Sequence, residues 1–292
     1  MSTQINQPDL SLARIAWSVL EPAHAVIYFA PEARQAFTEL GLKGYWMGYF
    51  ASRSAPLGPV PASIVTATFY NFHPAMVARS IPDAWHRASP ERITETRLLA
   101  ADTVLHRLLG ELLDSAELAE AASLAKEAAQ SAPIIGRALF AAYSQLPWPT
   151  EPHLVLWHAA TLLREFRGDG HVTSLLTAGI DGIEAHLLLI GTGRTTRESV
   201  QPARGWSDEE WEAAAQRLQQ RGLLDAAGRL TPAGQQLHQA IEDRTDLLAL
   251  SPWQHLGAEQ YARLIELARP LSARIVEQSG FPLINPMGLQ RL

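Results

Sequence analysis

Most of the chain has the three- and four-residue spacing of apolar positions that is typical of amphipathic helices. Ser89 and Pro90 suit the N-cap and first turn of a helix. Apolar residues then recur on one helix face at Leu98, Ala101, Leu105, Leu108 and Leu112. The pattern continues in segment 115–129, which is rich in alanine, glutamate and leucine, and in segment 134–145. The sequence therefore predicts a mainly α-helical protein.

Prolines divide this helical pattern near the middle of the chain. Pro147, Pro149 and Pro152 stand within six residues, and a helix cannot continue through them. We expect a domain boundary here, with a helical domain over residues 1–150 and a second domain over residues 151–292.

The second half begins with two predicted helices, over 153–166 and 171–190, with a tight turn at Arg167 to His171 (RGDGH) between them. Evidence for strands is sparse. Segment 63–72 is rich in β-branched and aromatic residues, but its flanking prolines leave a helix equally open. A short hairpin is predicted near 225–230, so any β-structure is confined to a few short segments.

The region 171–249 has the most specific pattern in the chain. Ser207 and Glu210 predict a capping box that starts a helix over 208–221, and Gly222 ends it. A tight hairpin and a helix from Thr231 follow. The stretch RGLLDAAGRLTPAGQQL, Arg221 to Leu237, resembles the wing and following helix of MarR-type winged-helix regulators. That resemblance implies a winged-helix domain with a short β-hairpin wing and a long C-terminal helix, which in that family helps to form a dimer.

The whole chain also resembles a group of actinobacterial helix-turn-helix proteins. The shared blocks are Arg53 to Pro74, which contains RSAPLGPV and YNFHP, and Arg167 to His171. This resemblance implies a helix-turn-helix protein but no particular activity.

Charge and composition narrow the classes of function that the sequence allows. The chain has 24 lysines and arginines against 30 aspartates and glutamates, a net charge of −6, whereas a protein that binds nucleic acid across its surface is expected to be basic. Cysteine is absent, which excludes disulfides, thiolate catalysis and cysteine-ligated metals. No apolar run approaches the ~18–20 residues of a membrane span, so we expect a soluble cytoplasmic protein without a membrane partner.

The helix predicted to read DNA starts with four carboxylates within residues 208–212. These charges suit the helix dipole but repel phosphate. Duplex DNA is still a candidate partner, with arginines on the phosphate backbone and glutamines on the bases: Arg194, Arg197, Arg204, Arg229, Gln216, Gln219 and Gln220. The alternative is a winged helix that serves only packing or dimerisation.

Polar residues in irregular segments predict a small-molecule pocket between the two halves. The ligand-binding candidates come from both sides of the proline boundary: Tyr49, Arg53, Asn71, His73, Arg167, Asp169 and His171. Alternatively, Arg53 holds a buried ion pair, and His73 and Asp169 cap helices. No histidine spacing matches a metal site, so no metal is predicted, although a site assembled across the fold from His24, His73 and His171 stays open.

These observations predict a small-molecule-binding winged-helix protein that acts as a ligand-responsive transcriptional regulator and homodimer. The alternative is a small-metabolite enzyme on a repurposed winged-helix scaffold that does not bind DNA. In that enzyme, Arg53 or Arg167 would orient the substrate, and His73 or His171 would act as general base. Neither the reaction nor a cofactor follows from the sequence.

Overall fold

Fifteen α-helices account for most of residues 9–279, the part of the chain that the computed structural model describes. They are α1 (Ser11–Ala25), α2 (Pro31–Glu39), α3 (Gly44–Ser54), α4 (Ala62–Phe69), α5 (Pro74–Ala78), α6 (Asp83–Arg87), α7 (Pro90–Leu109), α8 (Ala116–Ser131), α9 (Ala138–Ser144), α10 (Pro152–Thr177), α11 (Gly182–Gly191), α12 (Arg197–Val200), α13 (Asp208–Gln220), α14 (Pro232–Leu248) and α15 (Ser251–Ser279). Short 3-10 helices span Val26–Tyr28, Ala55–Leu57 and Gly110–Asp114. The prediction of a mainly α-helical protein is confirmed, and the ambiguous segment 63–72 lies largely in α4.

Polar residues at the predicted helix starts hold the first turns in place. The hydroxyl of Ser89 accepts the N–H of Arg92 at the start of α7. Ser207 and Glu210 form the predicted capping box at the start of α13. These side chains pair backbone N–H groups that have no partner within the helix. The sequence signals for these two helix starts are confirmed.

Buried apolar residues form two clusters that are joined by α10. The larger cluster combines residues from 13–166 with residues from 249–275. The smaller one combines the end of α10 with α11, α13 and α14. Phe166 of α10 lies in the first cluster and Leu175 in the second, so one helix of 26 residues crosses from one core to the other. The division of the chain at residue 150 stays a prediction.

The helix α10 is continuous, so the turn predicted over residues 167–171 is wrong. At Gly170 the absence of a side chain serves close packing instead of a change of direction. A Cβ on Gly170 would lie only 2.5 Å from Nη1 of Arg137, which packs across the helix. Within residues 9–279, no single helix combines the length and apolar composition that a membrane crossing needs. Only α10 and α11 together reach both, across a bend of 96°.

The predicted β-hairpin wing is wrong, because residues 9–279 contain no β-strand and therefore do not support a winged-helix domain. Between α13 and α14 the structure has one isolated antiparallel bridge, Leu224 to Leu230. The carboxylate of Asp225 accepts two backbone N–H groups inside this loop and closes it tightly. Residues 221–231 between α13 and α14 pair only at this one bridge, so no β-ladder forms there.

The long C-terminal helix implied by the resemblance is present as α15. Gly257, with a φ of 77°, kinks it after its first turns. The buried face of α15 packs against α8 and α1 of the same chain. The hydroxyl of Tyr261 also donates to the carbonyl of Leu12 in α1. This apolar face is therefore covered within one chain, and a dimer built through α15 stays a prediction.

A tight backbone contact joins α4 to the first residue of α11, Gly182. The residue after α4 is Tyr70, whose φ of 61° lies in the left-handed region that residues other than glycine rarely adopt. Its hydroxyl donates to the carbonyl of Ile180 at 2.5 Å. Its own carbonyl oxygen lies so close to Gly182 that a Cβ there would overlap it. This contact therefore requires glycine.

We predict that Gly182→Ala lowers the free energy of unfolding by about 1–3 kcal/mol, the usual cost of overpacking. Gly168→Ala is the matched control, because a Cβ at this position in α10 meets its nearest neighbours at 3.5 Å. The control should raise the free energy of unfolding by up to about 1 kcal/mol through helix propensity. Urea unfolding followed by circular dichroism measures both. Equal effects of the two substitutions would contradict the contact.

Candidate functional site

A cavity of about 240 Å³ lies between α1, α10, α11 and α14. The loop between α4 and α5 contributes Asn71 to its wall. The loops before and after α12 contribute Arg194 and Arg204. Charged and imidazole groups are concentrated here: five arginines, three histidines and two glutamates, which are Arg14, Arg164, Arg167, Arg194, Arg204, His171, His186, His238, Glu21 and Glu242. The cavity therefore lies where the N-terminal helices meet the helices of the smaller core.

A buried ionic network lies behind this cavity and is centred on Glu165 of α10. Its carboxylate accepts hydrogen bonds from Arg53 Nε at 3.0 Å, Arg53 Nη2 at 2.9 Å and Arg164 Nη1 at 2.7 Å. Burial alone would raise the pKa of Glu165, but the charges of Arg164 and Arg53 outweigh it and hold the pKa well below its ordinary value. Arg53 is thus an ion-pair partner that ties α3 to α10.

Glu21 presents a buried carboxyl group to the cavity. Its residue is only 3% exposed, and its Oε2 has no hydrogen-bond partner among residues 9–279. The nearest ion-pair distance, to Arg164 Nε, is 3.7 Å. Burial raises the pKa of Glu21 to about 7, against the opposing charge of Arg164. This carboxyl group therefore exchanges a proton near neutral pH.

Arg167 is held at the edge of the cavity by Asp246 of α14. Its Nη2 lies 2.9 Å from Asp246 Oδ1, and Arg14 Nε donates to Oδ2 of the same carboxylate at 2.8 Å. Nη1 of Arg167 is buried and has no partner among the described residues. An unpaired buried donor costs free energy, so this atom is suited to a water molecule or a ligand.

Arg194 and Arg204 are the two arginines of the cavity that have no carboxylate partner within residues 9–279. The guanidinium carbon of Arg204 lies 4.5 Å from the ring centroid of Phe72. Its Nη1 donates to the carbonyl of Ala203, but its buried Nε has no partner in this part of the chain. Burial lowers the pKa of Arg204, although an arginine remains charged at neutral pH. The cavity therefore keeps uncompensated positive charge.

The three histidines contribute little to this charge. Nδ1 of His171 lies 3.0 Å from the hydroxyl of Thr245, and burial lowers its pKa to about 4. Nε2 of His186 lies 3.2 Å from the carbonyl of Asn71, and burial lowers its pKa to about 3. Burial also lowers the pKa of His238. Neutral imidazoles at pH 7 leave the arginines as the source of positive potential.

The segment Tyr70 to His73 reaches the cavity through Asn71 and contacts the start of α13 through His73. The carbonyl of Asn71 accepts the indole N–H of Trp206 at 3.1 Å. The N–H of His73 donates to the carbonyl of Arg204 at 2.9 Å, and its Nε2 lies 3.0 Å from Glu210. The N-terminal helices are therefore connected both to the cavity and to the helix predicted to read DNA.

The structure brings three of the seven predicted ligand residues to this cavity: Asn71, Arg167 and His171. His73 instead accepts the N–H of Ala75, as the cap of α5. Tyr49 borders a second cavity of about 430 Å³, beside Tyr28 and Tyr45. The predicted ligand residues from the two sides of the proline boundary therefore meet only in part.

Asp169 also lies outside the lining of the 240 Å³ cavity. Its carboxylate accepts the N–H groups of Leu139 and Phe140, at 3.1 and 3.0 Å, and so caps the start of α9. Burial raises the pKa of Asp169 to about 6.

Two of the four predicted DNA-contacting arginines are already paired with carboxylates. Arg197 pairs with Asp208 at 2.8 Å and Glu212 at 2.6 Å. Arg229 pairs with Asp225 at 2.9 Å. Arg194 and Arg204 belong to the cavity. The predicted base-contacting residues Gln216, Gln219 and Gln220 are all exposed on α13.

The sequence predictions omit Glu21, Arg14 and Arg164 as cavity residues, and they assign Arg194 and Arg204 to DNA. A usable signal was present for Glu21, which stands between apolar residues in LEPA. A carboxyl group on the apolar face of a helix indicates either an ion pair or a functional site. The arginines carried no such signal, because their cavity is assembled from distant helices.

Comparison with known proteins gives one match. The model of a helix-turn-helix family matches residues 13–282. No curated protein and no solved structure matches the chain. The finer resemblance to MarR-type regulators stays a prediction.

We predict that Glu21→Gln removes part of the pH dependence of stability. The folded protein holds the Glu21 proton up to a pKa of about 7, whereas the unfolded chain releases it near 4.5. The wild-type protein therefore loses stability relative to the variant as the pH rises from 4.5 to 7, by up to about 3 kcal/mol. Urea unfolding at pH 5 and pH 8 measures this difference, with exposed Glu127→Gln as control. A difference between wild type and Glu21→Gln that is the same at both pH values would contradict the assignment.

Proposed function

Because the chain belongs to a helix-turn-helix family, we propose that it is a ligand-responsive, DNA-binding regulator that senses a small organic anion in the 240 Å³ cavity. One observation carries the proposal: Arg194 and Arg204, which have no carboxylate partner among the described residues, face a cavity formed jointly by the N-terminal helices and by α11 and α14. We propose that this regulator acts in the cytoplasm; its homodimeric state stays a prediction.

The charge of the cavity supports an anionic ligand. Arg14, Arg164 and Arg167 form ion pairs with carboxylates, whereas Arg194 and Arg204 form none within residues 9–279. A guanidinium group presents parallel N–H donors that match a carboxylate or phosphate. The unpaired buried donors Arg167 Nη1 and Arg204 Nε add two positions where a ligand oxygen would be stabilised.

The size of the cavity limits the ligand. A volume of about 240 Å³ equals that of about eight water molecules at ~30 Å³ each. This is enough for a dicarboxylate, a tricarboxylate or a small phosphate ester. Drug-sized and cofactor-sized ligands usually occupy roughly 300–1,000 Å³. A small polar metabolite therefore fits better than a nucleotide cofactor.

The position of the cavity supports coupling between ligand and DNA. The segment from Tyr70 to His73 lines the cavity through Asn71 and contacts α13 through His73 and Glu210. An anion that draws Arg204 towards the cavity would shift this segment and the first turn of α13 together. A ligand changes such an equilibrium only by binding one arrangement more tightly than the other.

DNA contact is assigned to the exposed part of α13 and the loop after it. Gln216, Gln219 and Gln220 are exposed and suited to base edges. The exposed Arg229 would contact phosphate by leaving Asp225. Arg197 is held by two carboxylates, and we therefore leave it out of the proposed DNA contact.

One observation favours a second function, an enzyme without DNA binding. Glu21 faces the cavity with an unpaired Oε2, and burial raises its pKa to about 7. A carboxyl group with this pKa suits proton transfer at neutral pH. In this alternative the arginines hold the anionic substrate and Glu21 is the general acid or base, whereas neutral His171, with a pKa of about 4, is a weak base.

We predict that Arg204→Met weakens the binding of citrate by at least about tenfold. The substitution removes a charge-assisted hydrogen bond of about 1.5–3 kcal/mol but keeps an apolar side chain against Phe72. Isothermal titration calorimetry with citrate measures the affinity, with inorganic phosphate and uncharged glycerol as comparison probes. Exposed Arg92→Met is the matched control. An absence of citrate binding to the wild type, or equal weakening in both variants, would contradict the anion site.

We predict that the full chain enriches a specific duplex from a random library and that Gln216→Ala combined with Gln220→Ala removes this preference. Each lost base contact should cost about 1–3 kcal/mol of discrimination. The control is Gln130→Ala, an exposed glutamine on α8. Selection at low salt followed by sequencing is the measurement. Failure to enrich any duplex would remove DNA binding and leave the enzyme as the better proposal.

A further inference from the structure

Two histidines and a carboxylate meet on the side of the molecule where α7 contacts the start of α10. Asp102 and His106 stand one helical turn apart on α7, and His153 is the second residue of α10. Oδ1 of Asp102 lies 2.6 Å from His153 Nε2 and 3.2 Å from His106 Nδ1. The two imidazole rings meet edge to face, with centroids 4.8 Å apart. One oxygen atom is therefore shared by two imidazoles.

We propose that Asp102, His106 and His153 form a binding site for a zinc-class divalent cation. The three potential ligand atoms all lie within 4.8 Å of one another. Imidazole nitrogen and carboxylate oxygen are preferred ligands of Zn²⁺ and of related transition metals. Three protein ligands leave at least one coordination position for water or another small molecule.

The geometry favours a metal site over an incidental hydrogen bond. Two of the ligands stand at positions i and i+4 of one helix, which places them on the same face. The third comes from another helix, so all three are positioned by regular backbone. His153 is 6% exposed and Asp102 is half-buried, whereas His106 is exposed. Solvent access at His106 gives an ion a route to two ligands that packing already holds in place.

Binding requires only local changes. Nδ1 of His106 lies 3.0 Å from the backbone carbonyl of Asp102, so it carries the proton when it donates to that oxygen. A shift of this proton to Nε2 frees Nδ1 as a ligand. At His153 the proton between Nε2 and Asp102 would move to Nδ1, and the ion would take its place between Nε2 and the carboxylate. It would then connect α7 to the first turn of α10, directly after the three prolines Pro147, Pro149 and Pro152.

This site is independent of the arginine cavity, since none of its three residues lines that cavity. No sequence motif indicates this site, because His153 and Asp102 are 51 residues apart. Only the packing of α7 against α10 brings these residues together.

The test uses the full chain after treatment with a chelator. Isothermal titration calorimetry with Zn²⁺ should give one site per chain. Co²⁺ should give the intense visible absorption of a four-coordinate ion with nitrogen ligands. His106→Ala and Asp102→Asn should each weaken Zn²⁺ binding by at least about tenfold and remove the Co²⁺ spectrum. Because His106 is exposed, its variant should keep the wild-type circular dichroism spectrum.

His86→Ala, another exposed histidine, is the matched control and should bind both ions like the wild type. A chain without a stoichiometric Zn²⁺ site overturns the proposal. Unchanged Zn²⁺ affinity in His106→Ala and Asp102→Asn also overturns it, because the ion is then bound elsewhere on the surface. Loss of binding in His86→Ala as well would have the same consequence.

Discussion

The pairing of buried charge around Glu165 is the constraint on which the rest of the structure depends. This carboxylate is 1% exposed, and Arg53 and Arg164 both bind it. Removal of one partner from a buried ion pair typically costs about 3–5 kcal/mol, because the remaining charge is left without compensation. The network therefore fixes α3 against α10 and leaves little freedom in how the N-terminal helices meet the long central helix.

The arginine cavity follows from this pairing. Glu165 forms ion pairs with Arg53 and Arg164, and Asp246 forms ion pairs with Arg14 and Arg167. The remaining guanidinium groups, of Arg194 and Arg204, face a polar space between two hydrophobic cores, and within residues 9–279 neither forms an ion pair with a carboxylate. Such a space favours an anion over water alone, because each ligand oxygen replaces a missing hydrogen-bond acceptor. The histidines of the cavity stay neutral chiefly because burial disfavours their charged form, and the neighbouring arginines disfavour it further.

The local elements of the fold were predictable from sequence, but their assembly was not. Ser89 and Ser207 marked helix starts correctly, because capping depends on residues a few positions apart. Gly170 was misleading, since a glycine packed closely against Arg137 has the same sequence signature as a turn. The prediction of a β-hairpin wing was wrong because a short loop closed by Asp225 resembles a hairpin in sequence. The cavity required tertiary contacts, and Arg204 in particular looked like a phosphate contact.

Arginine-resolved ¹⁵N nuclear magnetic resonance tests the central claim most directly. The Nε–H signal of Arg204, assigned by its absence from the Arg204→Met spectrum, should move as citrate is added and should saturate at the ligand-to-protein ratio of a single site. The signal of exposed Arg92 should stay in place under constant ionic strength. If Arg204 remains unchanged, or if both signals drift together without saturation, the cavity does not bind anions and the account is wrong.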